Sequence, residues 1–247
     1  LTLKNKVISN IEELYFDFKT YDETNNISRE ELLADMWKYA KYYRMVDKGE
    51  TDSPKLNRKL HQLGSIGSYV CMPFYLAFFN YADENNLSEQ QRYEVLDVVE
   101  NYWARRMVCG WPANYMTKSF ANLHGDIMRI FKAHQKRGVE VEVPYVEVMK
   151  YIILKKQGTG VFPSDLSVKE SFPQRQLYKI PASYRAFLFE RMENLDSKEA
   201  DESIIQKMND GKISIEHIMP QHLTSQWKQE LGEDAERIHE QYLHTFA

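Results

Sequence analysis

The sequence predicts a mainly α fold: an irregular multi-helix bundle over residues 1–200, then a segment over 201–247 that opens with a short β-hairpin. Three observations carry this expectation. Only 10 Gly and 8 Pro occur in 247 residues, too few turn formers for a many-stranded sandwich or barrel. Apolar residues recur at three- and four-residue spacing through most of residues 1–195, the period of a helix with one buried face. Composition then shifts near residue 200: residues 201–247 carry net charge −5 against +1 for the rest, and four of the seven histidines (His217, His222, His239, His244) fall there.

The elements follow in order. Val7, Ile11, Leu14 and Phe18 predict a helix from about Leu3 to Phe18. Ser28-Arg29-Glu30-Glu31 is a capping box, in which the Ser28 hydroxyl accepts from the backbone and Glu31 reaches back. The helix it opens sets Leu32, Met36, Ala40 and Tyr43 on one face. Ser53-Pro54 starts another, because proline at the first helical position loses no hydrogen bond. Gly64 and Gly67 break it ahead of an aromatic-rich helix around Phe74, Phe78 and Tyr81. Ser88 to Gln91 repeats the capping box and launches a helix that Cys109-Gly110-Trp111-Pro112 stops. Phe120, Leu123, Ile127, Ile130 and Phe131 form an amphipathic stripe. Pro144 opens a further helix, and Tyr184, Phe187, Leu188, Arg191 and Leu195 mark the last long one. Asn209-Asp210-Gly211 tolerates positive φ, so Glu202–Met208 and Ile213–Ile218 are predicted to pair as the hairpin. Trp227 to Leu231 and Asp234 to Leu243 return to helical spacing.

Several classes are excluded. No stretch approaches 18 uncharged apolar residues, so no membrane span and no membrane partner is expected. Two cysteines, Cys71 and Cys109, rule out a disulfide scaffold and suit a reducing cytoplasm. Net charge is −4, so electrostatics alone do not announce nucleic-acid binding. Gly64-Ser65-Ile66-Gly67 lacks the Lys and spacing of a phosphate loop, and His217 and His222 lack the spacing of a zinc-protease helix.

The stretch richest in chemistry is Ile213-Ser214-Ile215-Glu216-His217-Ile218-Met219-Pro220-Gln221. A carboxylate beside an imidazole can divide two tasks. Glu216 can bind a hard divalent cation through oxygen, while His217 takes a proton from water and makes it a nucleophile. On a strand, adjacent side chains point to opposite faces, so the pair needs a strand end or a twist to converge.

These residues resemble the first half of an HNH (His-Me finger, ββα-metal) nuclease motif, in which an acidic residue and His precede Ile-x-Pro. Upstream, Phe162-Pro163-Ser164-Asp165, Leu177-Tyr178 and Arg185 to Glu193 resemble the segment before that motif in GmrSD-type proteins. That family joins an N-terminal ParB-like, nucleotide-using domain to a helical middle and a C-terminal HNH-like domain. Its members are modification-dependent restriction endonucleases acting on phage DNA such as that carrying glucosylated hydroxymethylcytosine. The resemblance implies His217 as general base, Glu216 as the Mg²⁺ (or similar divalent) ligand and Pro220 as the second fixed position of His-x-x-Pro. It places 1–200 as the helical middle and 201–247 as the start of an incomplete ββα-metal motif. The downstream Asn or His ligands find no match before residue 247, and neither does the nucleotide-binding Gly-Gln-Gln-Arg-like stretch. The chain, which starts Leu1-Thr2 and stops at Phe246-Ala247, is therefore expected to be a catalytically incomplete piece of a longer DNA endonuclease, with any nucleotide bound elsewhere.

Two basic clusters are candidates for DNA phosphate contacts: Lys132, Lys136 and Arg137 at a helix end, and Lys155-Lys156. Cations at a helix C-terminus also simply complement the macrodipole. His239 and His244 are expected on a solvated helix. The alternative from a different class is a non-catalytic helical scaffold or a DNA- or protein-interaction module.

Overall fold

A computed structural model describes residues 10–25, 27–112, 114–138, 143–195 and 204–245. The described residues form α-helices, short 3₁₀ turns and irregular segments, with no β-strand among them. The chain divides by its internal contacts into two units.

The first unit comprises Leu1–Tyr102 and Pro112–Phe162. It holds α1 (Leu14–Asn25), α2 (Arg29–Lys48), α3 (Pro54–Ser65), α4 (Met72–Glu84), α6 (Asn114–Lys136) and α7 (Tyr145–Leu154). It also holds the larger part of α5 (Glu89–Val108). The helix starts are the ones local chemistry dictates. Ser28 Oγ accepts from the Glu31 amide while Glu31 answers to the Ser28 amide, and Ser53 Oγ accepts from Leu56 N ahead of Pro54. Such exchanges satisfy amide hydrogens that the first helical turn leaves without partners.

The predicted aromatic and apolar stripes build this unit's core. Phe74, Tyr75, Phe78 and Phe79 of α4, Leu96, Val99 and Tyr102 of α5, and Phe120, Leu123 and Ile127 of α6 are buried. Phe74 meets Phe120 edge-on at 5.6 Å, and Tyr145 lies 4.9 Å from Tyr81. A Cβ at Gly160 would run into the Tyr115 ring, so a larger residue there needs that ring to move. One polar cluster enters the core: Lys59 Nζ, 1% exposed, lies 2.8 Å from both Asp97 and Glu100. A buried ammonium needs such partners, since an isolated one would deprotonate or destabilise the fold.

The expected first helix differs. Leu3 and Val7 lie outside the described residues; Ile11 is 88% exposed, and the helix runs Leu14–Asn25 rather than ending at Phe18. Met36, Ala40 and Tyr43 are likewise exposed on α2, whose buried residue is Val46. Leu195 falls beyond the helix it was expected to end.

The second unit comprises Trp103–Trp111 and Pro163–Ala247. It contains the end of α5, then α8 (Asp165–Ser171), α9 (Ala182–Glu193), α10 (Ile204–Asn209), α11 (Ser225–Leu231) and α12 (Ala235–Tyr242). Arg105 joins its two chain segments, pairing with Asp165 at 2.6 Å and donating to the Pro163 carbonyl at 3.1 Å. Glu190, almost fully buried on α9, accepts from the Ile205 amide at the start of α10.

Among the described residues the hairpin expected after residue 201, and with it a ββα arrangement, is not present. Glu202 lies outside the described residues, Ile204–Asn209 is helix α10, and 212–223 is irregular backbone. Asn209-Asp210-Gly211 does turn the chain, but as the end of that helix. Gly211 takes φ +69°, its amide donates to the Met208 carbonyl, and Lys212 N donates to Lys207 O at 2.8 Å. Left-handed glycine just past a helix satisfies its last carbonyls, which is the same backbone chemistry a hairpin turn uses. The boundary expected near residue 200 falls at 196–203, outside the described residues.

Candidate active site

The irregular run after α10 carries Glu216 and His217, so convergence of the pair does not depend on a strand end. It is held from both sides. Thr224 Oγ1 caps α11 by accepting from Trp227 N, and the Pro220 carbonyl accepts from His239 Nε2 at 2.8 Å. A carbonyl only accepts, so His239 carries its proton on Nε2. His239 is thus a structural clamp on α12 that ties down the expected fixed position, Pro220.

His217 is half-buried. Its ring lies flat on Tyr178, with centroids 4.4 Å apart and planes 8° from parallel. Tyr178 Oη lies 3.3 Å from His217 Nδ1, and His217 Nε2 lies 3.4 Å from His244 Nδ1. Tyr178 and His244 also meet each other, at 5.3 Å between centroids. Three rings from residues 178, 217 and 244 therefore share one cluster.

The backbone fixes that cluster. Leu177–Lys179 is a 3₁₀ turn, and the Leu177 amide donates to the His244 carbonyl at 2.6 Å. Arg185 of α9 donates to the carbonyls of Leu177, Tyr178 and Ile180, with its guanidinium 5.3 Å from the Tyr178 ring centre. All three bonds come from Nη1, whose two hydrogens are shared among the carbonyls, that to Ile180 being the shortest at 2.8 Å. Burial raises the Tyr178 phenol above its ordinary pKa, Arg185 opposes this, and Glu216 adds to the rise, so the phenol stays protonated near neutral pH.

Glu216 is exposed and accepts from Ser214 Oγ at 2.8 Å. It is one oxygen donor beside the imidazole. Among the described residues, no group of three or more His, Cys, Asp or Glu side chains is placed to hold a metal ion.

The basic candidates belong to the first unit. Lys132, Lys136 and Arg137 are exposed at the end of α6. Lys155 and Lys156 follow α7 and line a shallow groove of about 410 Å³ with Asp126, Arg129, Ile130, Ala133, Tyr151 and Ile152. Lys155 Nζ sits 4.4 Å from the centre of the Tyr151 ring. Burial lowers the Lys156 pKa, with Asp126 opposing. The groove lining includes none of the α6 trio.

The sequence singles out His217, Glu216 and Pro220 as candidates, but it does not single out the rings that lie against His217. Tyr178 stood out only through its place in a resemblance, and His244 was expected in solvent. The one signal available for His244 was the crowding of histidines after residue 216.

Residues 162–247 match the C-terminal domain of GmrSD restriction endonucleases. No curated protein and no solved structure matches the chain. The GmrSD match begins at residue 162 and the long segment of the second unit at Pro163, so sequence and spatial divisions agree there. Every residue of the His217 cluster lies inside the match.

Proposed function

We propose that this chain carries the nuclease part of a DNA-restricting endonuclease, with His217 as its general base. The observation that supports the reading is the held imidazole of His217, packed between Tyr178 and His244 within the segment that matches the GmrSD C-terminal domain. In the proposed reaction, His217 takes a proton from a water as the water oxygen bonds to phosphorus. The phosphorus–oxygen bond to the leaving sugar breaks, and that oxygen is protonated in turn. Positioned proton transfer of this kind contributes roughly 10²–10⁴-fold in rate.

Modified phage DNA as the substrate and a requirement for Mg²⁺ or a similar ion, with Glu216 as one oxygen ligand, are further parts of the proposal. No step above is routed through the ion. The deciding experiment incubates the full-length protein with unmodified and glucosylated hydroxymethylcytosine DNA, with and without Mg²⁺ or Mn²⁺ and a nucleotide. Cleavage is expected, lost on chelation by EDTA, and reduced roughly 10²-fold or more in His217→Ala with DNA binding retained. No cleavage under any combination overturns the assignment.

A second reading concerns the first unit alone. Leu33, Met36, Trp37 and Tyr43 are exposed on α2, and Tyr15 and Phe16 on α1. An exposed aromatic and aliphatic face of this kind favours a protein-interaction role for those helices.

A further inference from the structure

A histidine acts as a base through one ring nitrogen, and the surroundings of His217 distinguish its two. Tyr178 Oη lies 3.3 Å from Nδ1. The two rings are nearly parallel, however, with centroids only 4.4 Å apart. Rings joined edge to edge by an in-plane hydrogen bond hold their centroids roughly 6 Å apart or more, since both ring radii and the bond must be spanned. The phenol therefore sits over the imidazole face, and the in-plane lone pair of Nδ1 is not its target. Nε2 is in a different position. It meets His244 Nδ1 at 3.4 Å, with the ring planes 64° apart. That is long for a hydrogen bond, as catalytic hydrogen bonds often are before substrate arrives.

We propose that His244 is a positioning residue: its Nδ1 accepts the Nε2–H of His217 and fixes the tautomer in which His217 Nδ1 is the free base. This deepens the nuclease reading and rests on it. The opposite assignment, with His244 donating to Nε2, leaves the proton on Nδ1 and no in-plane lone pair available to water. Orientation of a functional imidazole through its other nitrogen is the general device by which a tautomer is chosen. Here the device is well anchored. The His244 carbonyl accepts from Leu177 N at 2.6 Å, and Arg185 grips the carbonyls of the same turn that presents Tyr178. One short turn thus holds both the ring under His217 and the acceptor at its edge.

The test reads the tautomer without needing cleavage. In the 247-residue chain labelled with ¹⁵N-histidine, long-range ¹H–¹⁵N correlations report which nitrogen of neutral His217 carries the proton; its signals are those missing from His217→Ala. Wild type should show a protonated Nε2 and a bare Nδ1. His244→Leu should give a mixture of tautomers, and His244→Asn, whose Oδ1 replaces the acceptor, should restore the single form. Tyr178→Phe should leave the tautomer as in wild type. Backbone amide spectra confirm that each variant is folded. A protonated Nδ1 in wild type, an unchanged spectrum in His244→Leu, or a loss in Tyr178→Phe equal to that in His244→Leu overturns the proposal. In the full-length enzyme, His244→Leu should lower kcat roughly 10- to 100-fold with KM for DNA little changed, and His244→Asn should recover most of it. Absence of cleavage by wild type would remove the nuclease reading while the spectrum still decides the tautomer.

Discussion

At the scale of single residues, burial sets the chemistry of the histidines outside the site. His124 on α6 is half-buried against the rings of Tyr81 and Tyr145, and its Nδ1 lies 2.9 Å from the Tyr145 hydroxyl. Burial lowers its pKa to about 4, with Glu84 opposing. The unfolded chain has its ordinary value near 6.5, so below that pH the unfolded state binds the proton first. Stability contributed by neutral His124 is therefore whole above about pH 6.5 and lost as pH falls toward 4. The full loss is on the order of 3 kcal/mol. Urea unfolding between pH 7 and pH 5 should show this slope, and His124→Phe should flatten it; an equal slope in the variant would reject the assignment. The residues of the site were legible unequally for a related reason. Glu216, His217 and Pro220 stand out as candidates by adjacency in the sequence, whereas Tyr178 and His244 meet His217 across 39 and 27 residues. No local pattern encodes such contacts.

At the scale of elements, starts were easier to read than the identity of a short segment. Ser28, Ser53 and Ser88 each satisfy first-turn amides, a local requirement that the sequence states directly. Asn209-Asp210-Gly211 states something weaker. It demands a left-handed residue but not what precedes it, and six residues such as Ile204–Asn209 are too few for a helical period to show against alternation. The capture of Ile205 N by buried Glu190 on α9 helps decide the matter, and that contact spans residues 190 and 205. Gly211 sits in open space, so the cost of replacing it is purely its backbone angle. Gly211→Ala should cost about 1 kcal/mol and Gly211→Asn less, because asparagine visits the left-handed region more readily. Equilibrium unfolding in urea measures both, and equal stability of all three would place the turn elsewhere.

At the scale of the whole chain, the second unit is discontinuous: it takes Trp103–Trp111 from the end of α5 and joins it to everything after residue 162. Trp103, Met107 and Val108 are buried, and Arg105 binds Asp165 and the Pro163 carbonyl. The matched segment is therefore not the same as the folded one. Residues 162–247 produced alone lack these partners and should be less stable than the same residues in the whole chain. Poor amide dispersion or an earlier urea midpoint for the isolated segment would show it. A segment that alone unfolds at the same urea concentration as the whole chain would show that Trp103–Trp111 contributes nothing to holding it.

That discontinuity also has a consequence in time. A ribosome delivers Trp103–Trp111 well before residues 163–247, with which it forms one unit. At roughly 5–20 residues per second, the remaining chain takes from several seconds to about half a minute to arrive. Through that interval Trp103–Trp111 lacks the residues that complete its unit, among them Asp165 and the Pro163 carbonyl that Arg105 binds. The nascent protein therefore has a built-in period in which its second unit is incomplete and a chaperone can hold it.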